Sequence, residues 1–245
     1  MPKQKRASFK IRLDKFIANQ MPCSREDAKE YIKRRVVTVN GTIAKLFDMK
    51  IDAENDKVIV DGNEILYRKH IYIMLNKPQG VVCAAKDRDF QTVIDLVPEN
   101  LRRKDLFPAG RLDKDTEGFV LITDDGKLAH DMLSPKKHVP KVYFARLSHE
   151  ADESYIEKFE SGMKIDNGDI CLPAKIEILD KRDEVLITLK EGMFHQVKRM
   201  INACSNEVIF LKRIKIGGFD LDENLSLGEC REILHKEIDK FYIHF

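Results

Sequence analysis

From His70 onward, short apolar strands and short helical patterns follow one another without the regular strand-helix-strand spacing of a parallel sheet, and this order constrains the fold more than any other feature. GFVLIT, KVYFARL, EVLITLK and EVIFLKRIKIG read as strands, whereas KLAHDMLS, ESYIEKFES and FHQVKRMINAC read as helices. This order favours an α+β fold with a mixed, mostly antiparallel sheet. Ahead of these segments, IYIMLNKPQGVVCAA reads as two strands around a Lys-Pro-x-Gly turn. Pro78 fixes one backbone angle there, and Gly80 is free to take a positive one.

The first 65 residues follow a different pattern. Leu13, Phe16, Ile17 and Met21 recur at helical spacing, and Ser24 with Asp27 forms a capping-box signature that opens a second helix through SREDAKEYIKRR. That helix is expected to bury Ala28, Tyr31 and Ile32 and to turn Arg25, Lys29, Lys33 and Arg35 outward. VVTVNGTI then reads as a strand entering an Asn-Gly turn, and DKVIVDGNEI as a strand ending at Asp-Gly. Residues 1–65 are expected to form one domain, 66–70 a polar joint, and 71–245 a second domain.

Charge sharpens this division. Residues 1–36 hold eleven Lys and Arg against four acids, a net +7, while the whole chain is only +2. A cationic end suits a polyanion, because phosphate contacts to Lys and Arg gain free energy from counterion release. RLDKFIA, SREDAKEYIKRRVVTVNG and KVIVDG together resemble the S4-like RNA-binding domain over residues 11–62. That resemblance implies that the helix pair and the following strand grip structured RNA. Arg12, Arg25, Lys29, Lys33, Arg34 and Arg35 are the candidate contacts, joined by Lys77 at the turn of the second domain.

Other functional classes lack their signatures. No apolar run approaches the roughly 20 residues of a membrane span, and MPKQKRASFK lacks the apolar segment of a secretory signal, so a cytoplasmic protein with no membrane partner is expected. Five scattered cysteines without a CxxC pair point to reduced thiols. The seven histidines show no HExxH-type spacing, and neither KPQG nor IGGF has the glycine spacing of a phosphate loop. No metal and no cofactor are expected. Asp113 and Asp115 superficially match the aspartyl phosphatase pattern, but the hydroxyl of Thr116 falls one position early.

What remains is Asp113, in GRLDKDTEGFVLITDDGKL, on a loop leading into a strand that reads as buried. A loop carboxylate of this kind either caps a turn, pairs with Arg111, or faces a cleft. In EGMFHQVKRMINAC, Val197, Met200, Ile201 and Cys204 form an apolar helix stripe, opposite His195, Lys198, Arg199 and Asn202. Such a helix can aim a cation at a cleft, and a carboxylate partnered by Lys or Arg stays ionised, which suits a nucleophile or a base.

AGRLDKDTEGFVLITDDGKLAH, YIMLNKPQGVVCAA, SPKKHVPKVYFARL, EGMFHQVKRM and the late CREIL closely resemble the signature segments of the RsuA-like family of rRNA pseudouridine synthases, over nearly the whole chain. The resemblance implies a synthase domain with an active-site cleft. In it Asp113 is the catalytic carboxylate, Arg111 its neighbour, Tyr143 the active-site tyrosine, and Lys198 the basic partner where many relatives carry Arg. A Lys supplies the charge without the two-pronged geometry of a guanidinium. The implied reaction converts a uridine of small-subunit rRNA to pseudouridine without a cofactor, Asp113 either attacking C1′ or taking the C2′ proton. An enzyme of large-subunit rRNA and a non-catalytic ribosome-assembly factor are the alternatives. The expected partner is ribosomal RNA or a small-subunit assembly intermediate, and a monomer is the expected state.

Overall fold

The computed structural model of the chain describes residues 9–134, 137 and 139–242. Lys3, Lys5 and Arg6 of the basic amino-terminal stretch, and Pro135, Lys136 and His138 of SPKKHVPKVYFARL, lie outside the described residues. The chain divides into two compact units, one of Met1–His70 with Pro98–Leu106, the other of Ile71–Val97 with Phe107–Phe245. The joining of Pro98–Leu106 to the first unit departs from the sequence reading. In that unit Arg103 donates to the carbonyls of Asn19 (2.9 Å) and Arg68 (3.1 Å), and Leu101 and Leu106 are buried.

The first unit runs β1 (Lys10–Arg12), α1 (Leu13–Gln20), α2 (Arg25–Lys33), β2 (Val37–Val39), β3 (Thr42–Ile43), β4 (Lys50–Asp52), β5 (Val58–Val60) and β6 (Asn63–Ile65). The capping box at α2 is present: the Ser24 hydroxyl accepts from the Asp27 amide, and the Asp27 carboxylate accepts from the Ser24 amide. Two of the four orphan amides that every helix start carries are thereby supplied, or screened, by local side chains. Asn40-Gly41 and Asp61-Gly62 both take positive φ, the geometry of the tight hairpin turns that join β2 to β3 and β5 to β6. Strand order is β3-β2-β5-β6, with β1 and β4 paired separately. Leu13, Phe16, Ile17, Ala28, Ile32 and Val58 fill the core between helices and sheet.

The second unit contains β7 (Tyr72–Lys77), β8 (Phe107–Ala109), β9 (Glu117–Thr123), α3 (Gly126–Leu133), β10 (Lys141–Leu147), α4 (Ser154–Glu160), β11 (Lys175–Ile178), β12 (Glu184–Leu189), α5 (Gln196–Ala203), β13 (Val208–Ile216), β14 (Phe219–Asp220) and β15 (Cys230–Glu232). Its nine-stranded sheet has the order β11-β12-β10-β13-β9-β7-β15, with β14 on β13 and β8 on β9. Every pairing in it is antiparallel except β13 with β9, as the irregular order of elements predicted. One core lies under α4 and α5 against β10 to β13, and another joins α3, β7, β9 and the carboxy-terminal segment. Asp125 caps α3 by accepting from the Lys127 and Leu128 amides.

VVCAA does not form the second strand expected after the KPQG turn. Val82 makes an isolated bridge to Thr92, held by hydrogen bonds between Val82 and both Gln91 and Val93, and the segment folds back on the chain that follows it. No helix among the described residues is long and apolar enough to cross a membrane.

Candidate active site

The loop between β8 and β9 carries Asp113, and its shape is set from beneath. Gly80 takes φ +85° and donates its amide to the Lys114 carbonyl (2.8 Å), tying the KPQG turn to the loop. Lys77 extends from the end of β7 under the same loop, its ammonium donating to the carbonyls of Pro78 (3.0 Å), Lys114 (3.3 Å) and Thr116 (2.8 Å). The Leu112 amide points at Cys83 Sγ (3.3 Å), and the Thr116 amide donates to the Asp113 carbonyl. Lys77 was expected among the RNA contacts, and the structure corrects this. Its side chain is fully buried, and its three N–H donors are all engaged, two by carbonyls of the loop and one by the Pro78 carbonyl. Burial pushes its ammonium below the ordinary lysine value.

Across the cavity stands the first turn of α5. Val197, Met200 and Ile201 bury its apolar stripe as expected, and His195 precedes the helix in the left-handed conformation at φ 48°. That turn brings His195 Nε2 to 3.5 Å from one Asp113 oxygen and Lys198 Nζ to 3.5 Å from the other. Lys198 sits closer to Asp115, at 2.7 and 2.8 Å, and this hydrogen bond holds the Asp115 carboxyl below its usual range. Arg111 is exposed on the cavity rim, and the side chains within ion-pair distance of Asp113 are His195 and Lys198. The pairing of Arg111 with Asp113 that the sequence left open is therefore not formed among the described residues.

The cavity, of about 490 Å³, is floored by β10 and β13. Tyr143 and Arg213 face each other in register across these strands, with the guanidinium 6.0 Å from the tyrosine ring centre and Nη1 3.5 Å from its hydroxyl. Lys141, two residues before Tyr143, shares that face of β10. Phe194 is 70% exposed at the rim and stacks on His195 with 3.7 Å between ring centres. Sequence reading had found Asp113, Arg111, Tyr143 and Lys198, all of which line this cavity, and had missed Lys141, Arg213 and Phe194 and left Asp115 without a role. The two-residue period of a strand was the signal that would have placed Lys141 beside Tyr143.

In the first unit the basic residues of β1 and α2 are less free than their spacing suggests. Arg12 and Arg25 both donate to the buried Asp14, Lys29 pairs with Glu26, and Lys33 with Glu30. Burial raises the Asp14 carboxyl, but the hydrogen bonds from Arg12 and Arg25 outweigh it and hold the group below its ordinary value. Arg34 and Arg35 are exposed just past the helix, where Arg35 takes φ 61°. The ring of Phe47 lies 5.7 Å from the Arg12 guanidinium and 5.5 Å from the Lys29 ammonium.

Among the described residues no three His, Cys, Asp or Glu side chains are grouped to hold a metal ion. The arrangement places a carboxylate at the mouth of a cavity, an aromatic face inside it and two buried cations on its floor. Such a site can meet positive charge at one end of a breaking bond and negative charge at the other.

Residues 71–203 match the RNA pseudouridylate synthase family model, and residues 11–62 the S4 domain model. The chain is 45% identical to an uncharacterized RNA pseudouridine synthase, YtzG, of Bacillus subtilis, over 93% of this chain and 97% of that one. It is 42% identical to ribosomal small subunit pseudouridine synthase A of Escherichia coli, over 93% and 98% of the two chains. A solved structure described as a pseudouridylate synthase superposes with a TM-score of 0.66 at 39% identity, covering 94% of this chain and 99% of the other.

Proposed function

The chain belongs to the RNA pseudouridylate synthase family, and from that premise we propose that it converts a specific uridine of small-subunit ribosomal RNA to pseudouridine, with Asp113 as the catalytic carboxylate. The observation that carries the reading is Asp113 itself, held by a braced loop between His195 and Lys198 and lining the same cavity as Tyr143. The choice of small-subunit RNA is supported by similarity to synthase A of Escherichia coli and of Haemophilus influenzae, the latter at 41% identity.

Breaking the N-glycosidic bond builds positive charge at C1′ of the ribose, and a carboxylate beside that carbon stabilises it, as in glycoside hydrolysis. Asp113 either forms a bond to C1′ or takes the C2′ proton. The uracil then turns, and its C5 bonds to C1′ as Asp113 leaves that carbon, or returns its proton to C2′; the C5 proton is lost and N1 gains one. The target nucleotide must first leave its stack, at a cost of a few kcal/mol that contacts to the protein offset. The Tyr143 ring offers a face for the flipped base, and Arg111 at the rim a contact for its phosphate. Lys198 bridges Asp115 and Asp113 and so fixes the catalytic carboxylate in place.

Release of tritium from RNA labelled at uracil C5 tests the activity, and mapping pseudouridine in cells with and without the gene tests the target. Asp113→Asn is expected to release no tritium while binding RNA within about threefold of wild type, because the substitution removes charge and keeps shape. Loss of binding and folding together would mean that Asp113 is structural. A pseudouridine lost from large-subunit RNA, with none lost from small-subunit RNA, would overturn the choice of substrate.

A further inference from the structure

Arg213 and Lys141 are charged side chains that are only 3% and 7% exposed, and neither has a carboxylate partner among the described residues. Arg213 Nε donates to the Phe119 carbonyl at 2.8 Å, Nη1 reaches toward the Tyr143 hydroxyl, and Nη2 has no hydrogen-bond partner among the described residues. Lys141 donates to the Met132 carbonyl at 3.2 Å. Burial, and then the charge of Arg213, push its ammonium down to about 8. Buried cations are ordinarily paired, because desolvation of an unpaired charge is costly. Both residues line the cavity of Asp113 and Tyr143, so the missing negative charge belongs to whatever enters that cavity.

The reaction supplies one. When N1–C1′ breaks, the bonding pair stays on the uracil, and the detached ring carries a negative charge shared between its nitrogen and carbonyl oxygens. C1′ is meanwhile met by the Asp113 carboxylate, or C2′ gives up its proton to it. We propose that Arg213 and Lys141 hold the detached uracil as its anion, Arg213 Nη2 and the Lys141 ammonium donating to the ring carbonyls while the ring turns beside Tyr143. The turned ring then uses its own electron pair to join C5 to C1′ as the Asp113–C1′ bond breaks, or as Asp113 returns its proton to C2′; the C5 hydrogen leaves as a proton and N1 takes one up, so no further reactant is consumed. This inference rests on the synthase reading above. The alternative source of negative charge is a backbone phosphate. It is disfavoured by depth: both cations lie on the buried floor, whereas the exposed Arg111 stands at the rim where a sugar-phosphate chain would pass. The two cations donate and cannot accept, which also favours the two carbonyls of uracil over the amino group that cytosine would present.

The test uses the full chain and 16S rRNA transcript labelled with tritium at uracil C5. Wild-type protein, Arg213→Met, Arg213→Lys and Lys141→Met are first checked for folding by circular dichroism and thermal melting. Single-turnover tritium release is expected to fall about 100-fold or more in Arg213→Met, the loss typical of removing a donor from a developing anion, and to be partly restored in Arg213→Lys. RNA affinity should stay within about threefold, with an unchanged salt slope. A folded Arg213→Met chain with a near-normal rate overturns the inference. So does weakened binding whose salt slope drops by about one, which marks a phosphate contact. Should Arg213→Met not fold, Lys141→Met and a wild-type measurement decide. In the latter, 6-azauracil, whose ring N–H is more acidic than that of uracil, is expected to inhibit tritium release increasingly as pH rises and to exceed uracil. Equal inhibition by both, or none, overturns the inference. Absence of tritium release by wild type would instead fail the synthase reading itself.

Discussion

Lys141 carries its charge where the fold has to bear it, and proton linkage makes that cost measurable. In the unfolded chain its ammonium titrates near 10.5, and in the folded protein near 8. Below about pH 8 both states hold the proton, and the buried charge is a constant penalty. Between the two values the folded protein releases its proton first, so the penalty is relieved as pH rises. The shift corresponds to roughly 3 kcal/mol, and loss of the bond to the Met132 carbonyl returns about 1 kcal/mol of it, so Lys141→Met should gain on the order of 2 kcal/mol at pH 7. The gain should vanish toward pH 10.5. Denaturant melts of both proteins at neutral and alkaline pH check the sign, and a variant less stable at pH 7 would show that the ammonium is better solvated than its burial indicates. A residue that weakens the fold at the pH of use, and that lines the cavity of Asp113, is of the kind retained for chemistry.

The meeting of two strands depends on one glycine. Gly118, at the start of β9, takes φ +102°, and a Cβ built there would lie 2.2 Å from the Arg213 carbonyl oxygen on β13. It sits where β9 meets β13, the one parallel pairing in this sheet among the described residues, directly opposite Arg213. Gly118→Ala combines left-handed strain with a backbone clash, and is expected to cost at least 3 kcal/mol, a fall of roughly 10 °C in the melting temperature. Gly126→Ala, in the first turn of α3 with open space around it, is the control and should be neutral or slightly stabilising. Equal shifts for the two would mean that β9 adapts to the extra carbon. These elements also show what the sequence makes legible. The capping box, the Asn-Gly and Asp-Gly turns and the stripe of α5 act over a few residues, and each appears where local chemistry puts it. A three-residue strand such as β15 exists only because the distant β7 pairs with it, and no local period announces it. Lys77 reads as a solvated turn residue until the carbonyls of Lys114 and Thr116 close around it, and Arg213 reads as one more basic residue until β13 pairs with β10.

At the scale of the whole chain, the net +7 of residues 1–36 overstates the positive field that RNA meets. Arg12 and Arg25 share Asp14, and Lys29 and Lys33 each lean on a glutamate of their own helix, so four of the six basic candidates in this unit come with a nearby negative charge. Arg34 and Arg35 are exposed beyond the helix end and are the stronger candidates for phosphate contacts. Counterion release gives each such contact a signature, a loss of about 0.7 to 0.9 in the slope of log K against log salt when it is removed. The double variant Arg34→Ala, Arg35→Ala should therefore weaken binding to 16S rRNA by roughly tenfold or more at low salt and flatten the slope by between one and two. Single-turnover tritium release at saturating RNA should stay within about twofold, because a module that adds affinity through a tether changes occupancy and not the chemical step. Glu26→Gln with Glu30→Gln makes the opposite prediction. Freed of their internal partners, Lys29 and Lys33 should bind RNA more tightly and steepen the slope. Filter binding across a salt series measures both variants. A slope unchanged in the arginine variant and in the glutamate variant alike would remove this helix from the RNA interface and leave the anchoring to other surfaces of the unit.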